Sequence, residues 1–184
     1  MRWERLFSDL EAQAEAVGAA ELAGEVAERT RIQVGKLRLG DRLRGALGHP
    51  VRIALTGGDE ATGELRRVGP DWVLVEEASG REALVATAWV TGIDGLGLTS
   101  SVPGSEGRVG SKLDLRRALR GLARDRAPLR IGFPDATALA GTIDRVGADF
   151  VEVAIHPVGE LRRHGAVRAV RAVPIGAIAV VRTR

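Results

Sequence analysis

The 184-residue chain contains no cysteine, no tyrosine, one methionine, and only three tryptophans and three phenylalanines. The missing cysteines exclude disulfides, thiolate metal sites and cysteine nucleophiles. They also fit a reducing compartment, so a cytoplasmic location is expected. So few aromatics leave little with which to stack unpaired bases. No apolar run approaches the roughly 20 residues that span a bilayer, and no membrane partner is expected. The opening Met1-Arg2-Trp3-Glu4-Arg5 leads into a charged stretch, not the uninterrupted apolar segment of a signal peptide. Lysine is scarce too, present only at 36 and 112. Arginine carries nearly all the positive charge beside abundant Ala and Gly, the bias of a high-GC genome. Arginine richness alone therefore says little about nucleic acid.

What is present suits a soluble globular protein, with 45% apolar and 28% charged residues. The charge is unevenly spread: net 0 over residues 1–50, −5 over 51–107 and +8 over 108–184. A basic half can meet a polyanion, or it can dock on the acidic half within a chain or between chains.

An internal repeat is the strongest signal. Residues 51–75 align without a gap on 129–153, with identities at Arg52/Arg130, Ile53/Ile131, Gly63/Gly141, Arg67/Arg145, Val68/Val146, Gly69/Gly147, Asp71/Asp149, Val73/Val151 and Val75/Val153. Trp72 answers Phe150, and farther on Val85, Val90 and Ile93 answer Val173, Ile178 and Val181. Two copies are too few for a solenoid; duplication of one small domain explains them. Val51, Ile53 and Leu55 alternate with polar or small residues, as do Leu129, Ile131 and Phe133, the mark of a strand. Further strands are expected around Gly63–Leu65 and Gly141–Ile143, at Trp72–Val75 and Phe150–Val153, near Glu82–Val85 and Val167–Val173, and at Trp89–Ile93 and Ala177–Val181. The Val-Gly-x-Asp elements read as tight turns in which Gly supplies a positive φ, and the aromatic after each should cap a core. Five short strands per copy would curl into a small barrel and so hide their edges.

Helices precede the copies. In Ser111–Arg124, Leu115, Ala118, Leu119 and Leu122 form one stripe, with Arg116, Arg117, Arg120 and Arg124 opposite. Ser111 is the expected cap, with Asp114 in the first turn. Leu43-Arg44-Gly45 echoes Leu119-Arg120-Gly121, so a similar helix should enter the first copy. At the N-terminus Trp3, Leu6, Phe7, Leu10, Ala14 and Val17 keep one helical face. That face should cover a barrel of the same chain or the same helix of a second copy. The pattern weakens over 21–40, where Ile32 and Val34 sit two apart and Gly35 and Gly40 interrupt.

The order apolar-x-apolar-x-apolar, turn, Gly-x-apolar, Val-Gly-x-Asp-aromatic-apolar resembles Sm-like small β-barrels; SH3-like barrels fit nearly as well. An Sm-like resemblance implies rings that bind single-stranded RNA through two loops. In those loops this chain departs from the pattern. Gly69 and Gly147 stand where Asp is usual, Val73 and Val151 where Asn is usual, and no Arg-Gly occurs in 86–92 or 174–180. From Met1-Arg-Trp-Glu-Arg-Leu-Phe7 through Ala118–Arg126 to Arg145–Val151, the whole chain also resembles an uncharacterised family of high-GC Gram-positive bacteria. Some members are labelled Fis-type regulators. Such a protein would end in a helix-turn-helix, whereas this chain ends in Val- and Ile-rich strands.

No catalytic constellation stands out, so an enzyme and a cofactor are not expected. His49, His156 and His164 have no acidic residue at metal-ligand spacing, and each reads as a surface histidine. Asp71 and Asp149 read as turn residues that cap backbone N–H groups. Two basic groups remain, Arg116, Arg117, Arg120 and Arg124 on the helix, and Arg162, Arg163, Arg168 and Arg171 in the insertion of the second copy. Both could meet phosphate. The expected architecture is α+β, with two tandem small five-stranded antiparallel barrels, Sm-like or SH3-like, each preceded by a helix. A helical segment would occupy 1–40, the first, acidic barrel 41–94, a linker 95–107, and a helix with the second, basic barrel 108–184. The expected function is non-enzymatic binding or adaptor work through the basic half, on RNA more than DNA. The alternative is a protein-interaction or self-assembly module, associating through the N-terminal helix or the acidic and basic modules.

Overall fold

The computed structural model describes residues 2–78, 80–104, 112–156 and 169–183. The chain divides into two units, Met1–Arg38 and Leu39–Arg184. In the first, one long helix, α1, spans Arg2–Val34. The helix continues through the weakly patterned residues after 21, because Ala, Glu, Gln and Arg are strong helix formers and outweigh Gly18 and Gly24, at about 1 kcal/mol each, and it stops at Val34, before the interrupting Gly35. Surface pairs Glu25–Arg29 at 2.7 Å and Glu28–Arg31 at 3.2 Å add to this. The Gly35 N–H closes the last turn on the Arg31 carbonyl.

The second unit is α+β. It holds α2 (Leu39–Gly45) and five strands, β1 (Pro50–Leu55), β2 (Glu60–Val68), β3 (Trp72–Glu77), β4 (Glu82–Ala86) and β5 (Val90–Asp94). After these come α3 (Leu115–Asp125) and β6 (Leu129–Gly132), β7 (Ala138–Val146), β8 (Phe150–Ile155), β9 (Ala169–Pro174) and β10 (Val180–Thr183). The alternation in β1 is real, with Val51, Ile53 and Leu55 buried and their neighbours exposed. α3 begins at Leu115, where its apolar stripe begins and four residues after the expected start at Ser111. Asp114 caps it by accepting from the Arg117 N–H at 2.9 Å; Ser111 lies outside the described residues.

Among the described residues ten strands form one antiparallel sheet, in the order β5-β1-β2-β3-β4-β10-β6-β7-β8-β9. The sheet is open, and this corrects the expectation that each five-strand set hides its own edges. The edge of β4 is taken up by β10 through Val85↔Val180, Leu84↔Val181 and Ala83↔Arg182, and among the described residues β5 and β9 are left as the two ends. Five-strand blocks on either side of that joint share register: Val51 faces Gly63 as Leu129 faces Gly141. They also share a bulge, between Leu65 and Arg67 in β2 and between Ile143 and Arg145 in β7. A bulge bends its strand, and at each bend a glycine admits the neighbouring chain. A Cβ on Gly63 would lie 2.0 Å from the Glu76 carbonyl oxygen, and one on Gly141 would lie 2.2 Å from that of Ala154.

Two cores result. Leu43, Ile53, Leu65, Val73, Val75, Ala83 and Val85 fill the first; Leu119, Ile131, Ile143, Val151, Val153 and Val181 fill the second. β4 serves both, since Ala83 and Val85 face the first core while Leu84 and Ala86 face the second. Residues 95–104 run back along α2. Arg42 donates to the carbonyls of Gly97 at 2.5 Å and Thr99 at 2.8 Å, and the Ser101 N–H donates to that of Asp41.

Candidate binding cleft at the seam

The seam between the blocks is tied by side chains as well as by the β4–β10 ladder. Arg182 on β10, 17% exposed, reaches into the first block. There it meets both Asp59 oxygens at 2.9 and 3.0 Å, Glu77 Oε1 at 3.0 Å and the Glu60 carbonyl at 2.6 Å. The guanidinium holds the Asp59 carboxyl below its ordinary range. The Trp89 indole N–H donates to the Gly176 carbonyl at 3.0 Å.

Helix α3 is fastened to the same seam. The Trp72 indole donates to the Leu113 carbonyl at 2.7 Å, and the Asp71 carboxylate accepts the Leu115 N–H at 2.8 Å. Partial burial raises the Asp71 pKa, the Leu115 N–H opposes this, and the nearby Asp114 charge adds to the rise. Trp72 is buried, in the second block's core rather than its own. Phe150, its counterpart, is 37% exposed, so only one of the two aromatics caps a core as expected. Neither Gly69 nor Gly147 has a positive φ. Glycine is needed there because the following aromatic lies over it: a Cβ would come within 2.4 Å of the Trp72 or Phe150 ring.

Between α3 and the outer side of β2–β4 lies a cleft of about 620 Å³. Trp72, Leu74, Leu84, Leu122 and Val181 make its apolar part; Arg66, Arg67 and Arg117 are its cations and Glu82 an anion. Arg66 is held by Glu64 at 2.6 Å and Glu76 at 2.7 Å, and Arg117 donates to the Lys112 carbonyl. Arg67 makes no ion pair among the described residues and is exposed. The cleft thus offers an apolar slot beside guanidinium groups, suited to a ligand with a flat or aliphatic body and an anionic group.

Of the sequence-derived arginines, Arg117, Arg120 and Arg124 are exposed on α3 and Arg116 is partly buried. Arg171 is exposed on β9, at the sheet's far end. Arg162, Arg163 and Arg168 lie outside the described residues. Arg66 and Arg67 were not singled out, because they sit in the acidic half and only folding carries them to Arg117. The match of Arg67 with Arg145 was the one hint. His156 corrects the expectation of a surface histidine: it is 3% exposed, with Nε2 at 2.8 Å from the Thr142 hydroxyl. His164 is outside the described residues. Among the described residues no group of three or more acidic or histidine side chains could hold a metal ion, and no helix is long and apolar enough to cross a membrane. Compared with known proteins, the chain matches no family model and no curated sequence.

Proposed function

We propose that this is a non-enzymatic binding protein that takes a single-stranded nucleic acid, RNA more than DNA, across the seam and along α3. The observation that carries the reading is the convergence of Arg67 and Arg117, one from each block, on an apolar cleft walled by α3, the helix that also exposes Arg120 and Arg124. Unpaired bases can enter a cleft that a duplex cannot, while the arginines neutralise backbone phosphates. Each five-strand block is read, within this proposal, as an Sm-like or SH3-like unit. The shared order, bulge and separate cores support that reading.

The test is fluorescence anisotropy with labelled single-stranded RNA and duplex DNA across a salt series. Arg67→Ala, the set Arg116, Arg117, Arg120 and Arg124→Ala, and the set Arg162, Arg163, Arg168 and Arg171→Ala are compared with wild type. RNA binding that weakens with salt, and whose salt slope shallows in the first two variants, is the expected result. A folded wild type that binds neither polymer at low salt overturns the proposal. A second reading, a self-assembly module, is favoured by the two open ends of the sheet.

A further inference from the structure

The two open ends are not arbitrary edges. In its block, β9 holds the place that β4 holds in the other: Val151 faces Val173 as Val73 faces Val85. Likewise β5 stands where β10 stands, since Ile53 faces Ile93 as Ile131 faces Val181. Among the described residues the sheet therefore contains one β4-to-β10 joint and presents, at its two edges, the two halves of another.

We propose that β9 of one copy pairs antiparallel with β5 of a second copy in the register of the internal joint. That register sets Val173 against Gly92, Ala172 against Ile93 and Arg171 against Asp94. This deepens the self-assembly reading and rests on it. The partner is a second copy because the exposed features are those the internal joint buries. Trp72 is 8% exposed at the internal joint, and Phe150 in its place is 37% exposed. Leu115 is 5% exposed, and Leu39, which takes its place through the match of Leu43-Arg-Gly45 with Leu119-Arg-Gly121, is 49% exposed. Charge agrees: a cross-strand Arg171–Asp94 pair joins the basic block to the acidic one. Asp94 already holds Arg52 at 2.8 Å, with both side chains well exposed.

The second joint is weaker than the first. Pro174 has no N–H where Ala86 donates to the Ala179 carbonyl. Thr137 and Ile155 replace the Asp59 and Glu77 that hold Arg182, and Ala177 replaces Trp89. Association is therefore concentration-dependent. Because the contact is head-to-tail, repetition builds a ring or a filament rather than a two-fold dimer.

Full-length protein is measured by sedimentation velocity from low micromolar to several hundred micromolar concentration. In β4, Ala86 directs its N–H toward β10, so by strand alternation Leu84 does too, and the amide of its counterpart Ala172 faces outward. Ala172→Pro therefore removes an edge donor without touching the β8–β9 ladder. The expected result is reversible association of wild type, lost in Ala172→Pro and weakened about tenfold in Arg171→Asp. The Arg171→Asp, Asp94→Arg double variant recovers it, and circular dichroism is unchanged throughout. Association that persists in folded Ala172→Pro and Arg171→Asp overturns this joint and leaves self-assembly through another surface. A wild type that stays monomeric at every concentration overturns both.

Discussion

Replacing Arg182 by methionine removes the cation at the centre of the seam and keeps most of the side chain's bulk. The guanidinium makes three charge-assisted contacts to carboxylates and one to a carbonyl. Without it, Glu77 is left 13% exposed with a longer pair to Arg81 in its place, while Asp59, 38% exposed, regains water. Breaking a buried pair from one side costs about 3–5 kcal/mol. Two things argue for the lower end: the exposure of Asp59, and Arg81 Nη2, which stays 3.7 Å from Glu77 Oε2. The expected loss is about 3 kcal/mol, measured by urea unfolding at neutral pH followed by circular dichroism, with m unchanged. Because the loss comes from stranded acids, the triple variant Arg182→Met, Asp59→Asn, Glu77→Gln should recover more than half of it. A loss under about 1 kcal/mol would refute the reasoning, as would an Asp59→Asn cost that is the same with or without Arg182.

The other predictions probe the bends, the cap, the helix and the acid limb. Gly63→Ala and Gly141→Ala each place a methyl against a carbonyl at about 2 Å and should destabilise by about 2 kcal/mol or more in urea unfolding. Gly121→Ala meets nothing within 4 Å in α3 and should stabilise by up to about 1 kcal/mol in the same assay. Trp72→Phe gives up the indole bond to the Leu113 carbonyl and part of the aromatic surface buried in the second core, and thermal unfolding should report about 1–2 kcal/mol lost. Asp59 has a lowered folded pKa, so its contribution is complete above its ordinary 3.8 and disappears as pH falls through the folded value. In an acid titration of stability, Asp59→Asn should flatten that loss below pH 3.8 and leave the limb above it unchanged.

Local pattern reached the strands and α3, because alternation and 3.6-residue periodicity are written in neighbouring residues. It also found Gly63 and Gly141 as matched positions, though not their reason, which lies in a carbonyl of another strand. The partner of β4 was out of reach. A five-strand set that closes on itself and one that joins its neighbour need the same alternation, and only β4's burial on both faces separates them. Its residues Ala83-Leu84-Val85-Ala86 carry that signal as an unbroken apolar run. α1 exceeded its apolar pattern because propensity carried it past residue 21. The burial of His156 depends on a cross-strand neighbour, Thr142, that no spacing within its own segment points to.

The charge asymmetry, −5 against +8, means less in the fold than in the sequence. Part of it is spent inside the chain. Arg182 from the basic half is neutralised by Asp59 and Glu77 of the acidic half. The proposed joint would spend another pair, Arg171 on Asp94. Conversely, Arg67 belongs to the acidic half yet lines the cleft with Arg117. The basic surface open to a ligand is therefore set by the seam rather than by either half. Arg67, Arg117, Arg120 and Arg124 are exposed and make no ion pair among the described residues. If nucleic acid binds, its salt slope should follow those four and be indifferent to Arg182, even though removing Arg182 costs the fold most. Wild type and folded Arg182→Met, compared by anisotropy across salt, should give parallel lines. A slope that falls with Arg182→Met would place phosphate at the seam's interior and refute this division between holding the fold and meeting the ligand.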